Sequence, residues 1–101
     1  MKILGTMADM IDGELKQAEC YVNEALDNQE EYPDVSNDYI SLAQGNLDRV
    51  NALHNRSTKL IEAERKEHGD PPESMLKVYE YLHRKHIERA ADVRRIINEM
   101  R

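Results

Sequence analysis

The core-facing residues of the C-terminal third of this chain recur at alternating intervals of four and three positions. This row comprises Tyr79, His83, His86, Ala90, Val93 and Ile97. At about 100° per residue the whole row lies on one face of an α-helix, whereas a strand would need an interval of two. The row therefore predicts a packed helix, and it places two histidines among the residues that face the core.

Two further helices precede this one, and the predicted ranges are 5–28, 33–68 and 71–100. Pro33 suits the first turn of the second helix, because a residue there needs no amide hydrogen bond. Gly69 suits its end, since glycine readily adopts a positive φ. Asp70 is the predicted cap of the third helix, with a proline next and Glu73 completing a capping box.

The connections between these helices are short, which makes sequential helices antiparallel neighbours. The expected fold is therefore all-α: a single domain over residues 1–101 that forms a three-helix up-down-up bundle. A hydrophobic content of 40% and a charged content of 34% fit a bundle with charged outer faces. Cys20 is the only cysteine, so the protein has no internal disulfide and a reducing compartment is expected.

Charge and hydropathy exclude several classes of function. Residues 1–50 contain three basic and eleven acidic residues, which disfavours binding to nucleic acid. No apolar run approaches the roughly 20 residues that cross a membrane, and the N-terminus does not resemble a signal peptide. We therefore expect a soluble cytoplasmic protein that binds neither nucleic acid nor membrane.

The predicted register brings polar residues of all three helices into one layer of the core. Glu14, His54 and His86 are expected at similar depth, with His83 one turn away and Glu80 three residues before His83. One interpretation is a site for zinc, iron or manganese, because imidazoles and carboxylates bind such ions. The favoured interpretation is a set of structural histidines, hydrogen-bonded within the core, without a cofactor.

Catalysis is not expected from this sequence. Ser57 is predicted to face the region of His83, yet neither an orienting acid nor an oxyanion donor accompanies the pair. Glycine-rich phosphate loops and paired-cysteine metal motifs are also missing from the sequence. Histidines packed between helices would become charged near pH 6, so a pH switch remains a variant of the structural interpretation.

Several short motifs resemble those of small ferritin-like helical proteins, in particular an uncharacterised group from phage and prophage of gut Firmicutes. The motifs lie within roughly residues 14 to 95 and are Glu30-Glu31-Tyr32-Pro33, Asn51-Ala52-Leu53-His54, Lys66-Glu67-His68-Gly69-Asp70-Pro71-Pro72, and Tyr79-Glu80-Tyr81-Leu82-His83 followed by His86-Ile87-Glu88. The resemblance implies a ferritin-like general shape and a phage origin.

Ferritin-like proteins carry a Glu on the first helix and Glu-x-x-His on two others. The resemblance implies that Glu14 takes the first role and that Glu80 with His83 forms one of the pairs. The second helix departs from the pattern, because Asn46 and Arg49 stand where the other pair would be. The resemblance therefore implies either a reduced metal site or a ferritin-like shape without metal.

Three helices leave apolar surface that a fourth helix would normally cover, so we expect a homo-oligomer, most simply a dimer. Tyr21, Tyr39 and Met10, at the edges of their apolar faces, are the candidate contact residues. The expected function is that of a non-enzymatic interaction or structural protein with an unknown protein partner. The alternative is a metal-binding protein that uses Glu14, His54, Glu80, His83 and His86.

Overall fold

A computed structural model describes residues 2–100, which form three α-helices and no strand. Helix α1 spans Lys2–Asn28, α2 spans Pro33–His68 and α3 spans Glu73–Glu99. They form an elongated body of 56 × 19 × 18 Å, which confirms the all-α helical bundle. None of these helices is both long and apolar enough to cross a membrane.

The ends of α2 match the signals in the sequence. The helix begins at Pro33 and its last residue is His68. Gly69 follows with φ +78°, and its backbone N–H donates to the carbonyl of Arg65 at 2.9 Å. Ser36 lies in the first turn of this helix, and its hydroxyl donates to the carbonyl of Ala25 on α1 at 2.7 Å.

The predicted cap of α3 is wrong. The helix begins at Glu73, and its N-cap residue is Pro72, which makes no side-chain capping hydrogen bond. The reason lies in the two consecutive prolines, since a proline disfavours helical backbone at the residue before it and so keeps Pro71 out of the helix. Pro72 itself is extended, with φ −53° and ψ 146°. Asp70 lies 3.6 Å from Arg65, on the surface.

The buried core contains the C-terminal part of the row predicted for α3, together with rows of apolar residues on α1 and α2. The predicted core-facing position of His83 is wrong, because His83 is exposed. All three helices contribute to it, and Leu15, Val22 and Val93 are among its largest fully buried side chains. The cluster comprises Ile11, Leu15, Ala18, Val22, Ala25, Ile40, Ala43, Leu47, Val50, Ala90, Val93 and Ile97. Side chains of Val or Leu size each contribute about 1.5–3 kcal/mol when fully buried, so this cluster is the main stabilising element of the fold.

Most of this core occupies one half of the body, and Leu4 at the start of α1 is buried outside the main cluster. The last buried residue of α2 is Val50, and the first buried residue of α3 is Ala90. The rows become polar just beyond these two positions, at His54 on α2 and at His86 on α3. We call the half that contains Val50 and Ala90 the closed half, and the half formed by residues 51–68 and 73–89 with the start of α1 the open half.

Hydrogen bonds between helices show which parts of the chain lie side by side. Residues farther along α2 contact residues nearer the start of α1: Ser36 bonds to Ala25, and the Ser57 hydroxyl lies 3.3 Å from the sulfur of Met7. The Ser57 hydroxyl also donates to the carbonyl of Leu53 at 2.9 Å. Ser57 therefore contacts Met7 of α1, and it also lies in the region of His83, as predicted.

Candidate functional site

A groove of about 790 Å³ lies in the open half, between the start of α1, the end of α2 and the first half of α3. Its volume lies within the range of about 300–1,000 Å³ that is typical of ligand pockets. Apolar side chains from all three helices form most of its wall, including Leu4, Ile11, Ile61, Met75, Leu82 and Ile87. The histidines of the predicted polar layer line the same groove, so the groove and the polar layer are one site.

The first half of α3 has more apolar surface than its neighbours cover. At about 100° per residue, Val78 and Ile87 lie about 180° apart around the helix, and both line the groove. A helix that packs on one side needs an apolar stripe of only about 100°. Val78 remains 54% exposed and Ile87 55% exposed. This segment is therefore suited to contact one more helix than the single chain provides.

His54 on α2 and His83 on α3 contact each other across the groove. Their ring centroids are 4.4 Å apart and the ring planes meet at 83°, so the edge of one imidazole faces the other. The predicted register placed His54 opposite the region of His86, and the observed partner lies about one helical turn away. This ring contact is a direct link between α2 and α3 in the open half.

Burial lowers the pKa of His54, and the neighbouring His83 and His86 lower it further. Burial acts because the charged imidazolium loses hydration, and the other two rings act because a like charge nearby disfavours protonation. Both effects favour the neutral form of His54, in which one ring nitrogen carries a lone pair.

His86 is held by an acidic residue of α1. Its Nε2 lies 2.7 Å from Oδ1 of Asp12, and Arg89 lies 3.2 Å from the same oxygen. Arg89 also donates to Glu19 at 2.5 Å. These partners of His86 were not predicted from the sequence. The signal was available, because Asp12 and Glu19 lie seven residues apart on one face of α1, and His86 and Arg89 lie three apart on α3.

Glu14 is engaged on a different face of the bundle, between α1 and α2. Asn46 donates to its carboxylate at 2.8 Å, and the guanidinium Nε of Arg49 lies at the same distance. Burial acts to raise the pKa of Glu14, but the hydrogen bonds from Asn46 and Arg49 outweigh that effect and lower it. Asn46 is fully buried and also donates to Gln17 at 2.9 Å. The amide and the cation thus stabilise the Glu14 carboxylate.

The five residues predicted as metal ligands are therefore distributed over two places. His54 and His83 are in contact, and His86 and the exposed Glu80 line the same groove. Glu14 lies with Asn46 and Arg49 instead. The structure gives the distance between the rings of His54 and His83, whereas a metal site built from all five residues remains a prediction.

Another cluster of potential ligands lies on the surface near the end of α2. Among residues 2–100, the only group of three or more ligand atoms within 4.8 Å of one another belongs to Glu64, Glu67 and His68. His68 Nε2 lies 3.9 Å from Glu64 and 3.8 Å from Glu67. A basic residue with acidic neighbours in a last helical turn is an ordinary surface arrangement, since it also complements the helix dipole.

The residues predicted at the edges of the apolar faces have separate environments. Tyr21 and Tyr39 contact each other across α1 and α2, with ring centroids 6.0 Å apart, and both pack against the core. Met10 is 52% exposed. Cys20 is exposed.

Comparisons with known proteins give this chain no relative. It matches no protein family, no curated protein and no solved structure. The resemblance to ferritin-like and phage-associated proteins therefore stays a prediction, and the function has to be argued from the geometry of the groove and its residues.

Proposed function

We propose that this protein is a non-enzymatic helical interaction module that self-associates through the groove of its open half. One observation carries this proposal: the core ends at Val50 and Ala90, while apolar surface continues along α3 to Val78 and Ile87. Exposed apolar side chains that line a groove mark an interaction site in many soluble proteins. A helix from a second copy would cover it and complete a four-helix arrangement in this half.

The charges that line the groove favour a second copy of this chain as the occupant. Arg65 and Arg84 carry positive charge there, and Glu80 and Glu88 carry negative charge. A surface with balanced charges can face its own copy in a two-fold dimer, because cations of one copy can meet anions of the other. The chain as a whole carries a net charge of −6, so two copies that met through other faces would repel each other.

The up-down-up arrangement and the ferritin-like general shape belong to this proposal. The pairings of α2 with α1 support the arrangement, because Ser36 bonds to Ala25 and Ser57 contacts Met7. The contact of His54 with His83 supports the corresponding direction of α3. A phage origin rests on the motif resemblance alone. A structural or adaptor role in the cytoplasm, without catalysis, is consistent with such a module.

The oligomeric state tests this proposal directly. Sedimentation velocity over a concentration series should show a dimer that dissociates on dilution. The Val78→Glu, Ile87→Glu double variant should be monomeric with an unchanged far-UV circular dichroism spectrum, since a buried unpaired carboxylate is costly at an interface. Leu42→Glu is the matched control, because Leu42 is 48% exposed on α2 and does not line the groove.

Two results would overturn the proposal. One is a wild-type protein that stays monomeric at the highest soluble concentration. The other is a dimer that persists in the Val78→Glu, Ile87→Glu variant but is lost in the Leu42→Glu control, which would place the interface on another face of α2.

A further inference from the structure

We infer that His54 and His83 form a binding site for a late first-row divalent metal ion, zinc or copper, that links α2 to α3 across the groove. The site uses the histidine pair alone, with water in the remaining coordination positions. It is independent of self-association, because both ligands belong to one chain.

The geometry of the pair suits a shared ion. Two imidazole nitrogens bound to one zinc lie about 3.3 Å apart, given Zn–N bonds of about 2.0–2.1 Å and tetrahedral angles. The ring centroids of His54 and His83 are 4.4 Å apart in an edge-to-face contact. Binding of a shared ion would require rotation about the side-chain bonds that turns a nitrogen of each ring towards a common point.

The chemistry of imidazole also suits a metal. A metal binds the neutral ring through the lone pair of one nitrogen. Bringing two imidazoles together is unfavourable when they are protonated, whereas a divalent cation between them removes that repulsion. Imidazole ligands favour zinc, copper and nickel over the harder manganese and magnesium ions.

Neighbouring groups decide which residues belong to the site. His86 is already hydrogen-bonded to Asp12 at 2.7 Å, so it is committed to α1. Glu14 is committed to Asn46 and Arg49. The histidine pair is thus the part of the predicted polar layer that remains open to the groove and spans two helices.

A bound ion would act on the groove itself. Two contacts between α2 and α3 are the ring contact of His54 with His83 in the open half and the hydrogen bond that the Arg94 guanidinium donates to Asn51 at 3.4 Å. A metal at the histidine pair would fix the separation of the two helices at the groove. The ion would therefore stabilise the open half and set the width of the surface that a partner contacts.

Isothermal titration of the full chain with zinc chloride, and separately with copper chloride, tests this inference. The wild type should bind one ion per chain, and zinc should raise its melting temperature by mass action. Loss of one outer-shell partner of a metal site costs roughly 10–100-fold in affinity. The His54→Ala, His83→Ala variant removes both ligands, so we expect its metal affinity to fall by more than this. His68→Ala, which disrupts the surface cluster at the end of α2, should bind like the wild type.

The inference is overturned if His68→Ala abolishes binding while the His54→Ala, His83→Ala variant keeps it, or if the folded wild type binds neither ion. A His54→Gln, His83→Gln variant preserves side-chain bulk and replaces the Ala variant if that one misfolds. The Val78→Glu, Ile87→Glu variant separates this inference from the proposed function. Zinc binding retained there supports a site within one chain, and binding lost only there would overturn that assignment.

Discussion

The carboxylate of Asp12 lies 2.7 Å from Nε2 of His86, and this contact ties the first helix to the third at the boundary between the closed and open halves. The His86 side chain is only 11% exposed, while that of Asp12 is 49% exposed. Arg89, one turn farther along α3, contacts the same carboxylate. The three residues hold α3 against α1 just before the helices part to form the groove.

Replacing Asp12 should therefore destabilise the protein. We expect Asp12→Asn to lower the free energy of unfolding by about 1 kcal/mol, which is the contribution of a hydrogen bond to a charged group after allowance for partial exposure. Urea denaturation at pH 7 measures the change. Asp9→Asn, at an exposed position three residues earlier on α1, is the control, and an equal loss in both variants would contradict the role given to Asp12.

Glu14 should make the stability of the protein depend on pH in acid. Hydrogen bonds from Asn46 and Arg49 outweigh burial and hold the pKa of Glu14 below its ordinary value of 4.5. A carboxyl group with a lowered pKa stabilises the fold above its unfolded-state pKa, and this stabilisation is lost as the pH falls through the folded-state pKa.

We therefore expect Glu14→Gln to be less stable than the wild type at neutral pH and to lose less stability between about pH 5 and pH 3. Thermal unfolding at a series of pH values measures both effects. Glu24→Gln, on the exposed face of the same helix, is the control. The assignment fails if the wild type and Glu14→Gln show the same pH dependence.

The difference in packing between the two halves can be measured by replacing a valine of α3 with alanine in each half. Val93 is 1% exposed in the closed half, whereas Val78 is 54% exposed in the open half. Val93→Ala should cost about 2 kcal/mol, since it removes buried methyl groups and leaves a cavity. Val78→Ala should change the stability of the monomer by less than about 0.5 kcal/mol. Denaturation at low protein concentration compares them, and similar losses would mean that the open half is also packed.

Two glycines should respond to alanine in opposite directions. Gly69 has φ +78°, which an alanine adopts only with strain, so Gly69→Ala should destabilise the protein by about 1–2 kcal/mol. Gly13 lies within α1, and a Cβ added there would meet no atom within 4 Å. Gly13→Ala should therefore stabilise the protein by up to about 1 kcal/mol. Melting temperatures test the pair, and a loss at Gly13 would show that the position needs a glycine for another reason.

The periodicity of the sequence predicted the helices and the core well, because both depend on local spacing. Pro33 and Gly69 mark the ends of α2 as their backbone preferences require. The cap of α3 was missed because the restriction that Pro72 places on the residue before it outweighed the capping-box spacing of Asp70 and Glu73. The polar layer was predicted as one site, and the structure instead separates Glu14 from the histidines.

By itself the sequence determined the all-α class, the buried rows and the points at which those rows become polar, since each follows from residues near one another along a helix. Only the tertiary structure decided the partners: Asn46 and Arg49 for Glu14, Asp12 for His86, and His83 for His54. The physical reason is that a shift of one helical turn, about 5.4 Å, exchanges one partner for another while leaving the apolar pattern unchanged. The groove was also decided by the tertiary structure, because it forms where the helices separate and their facing side chains no longer fill the space between them.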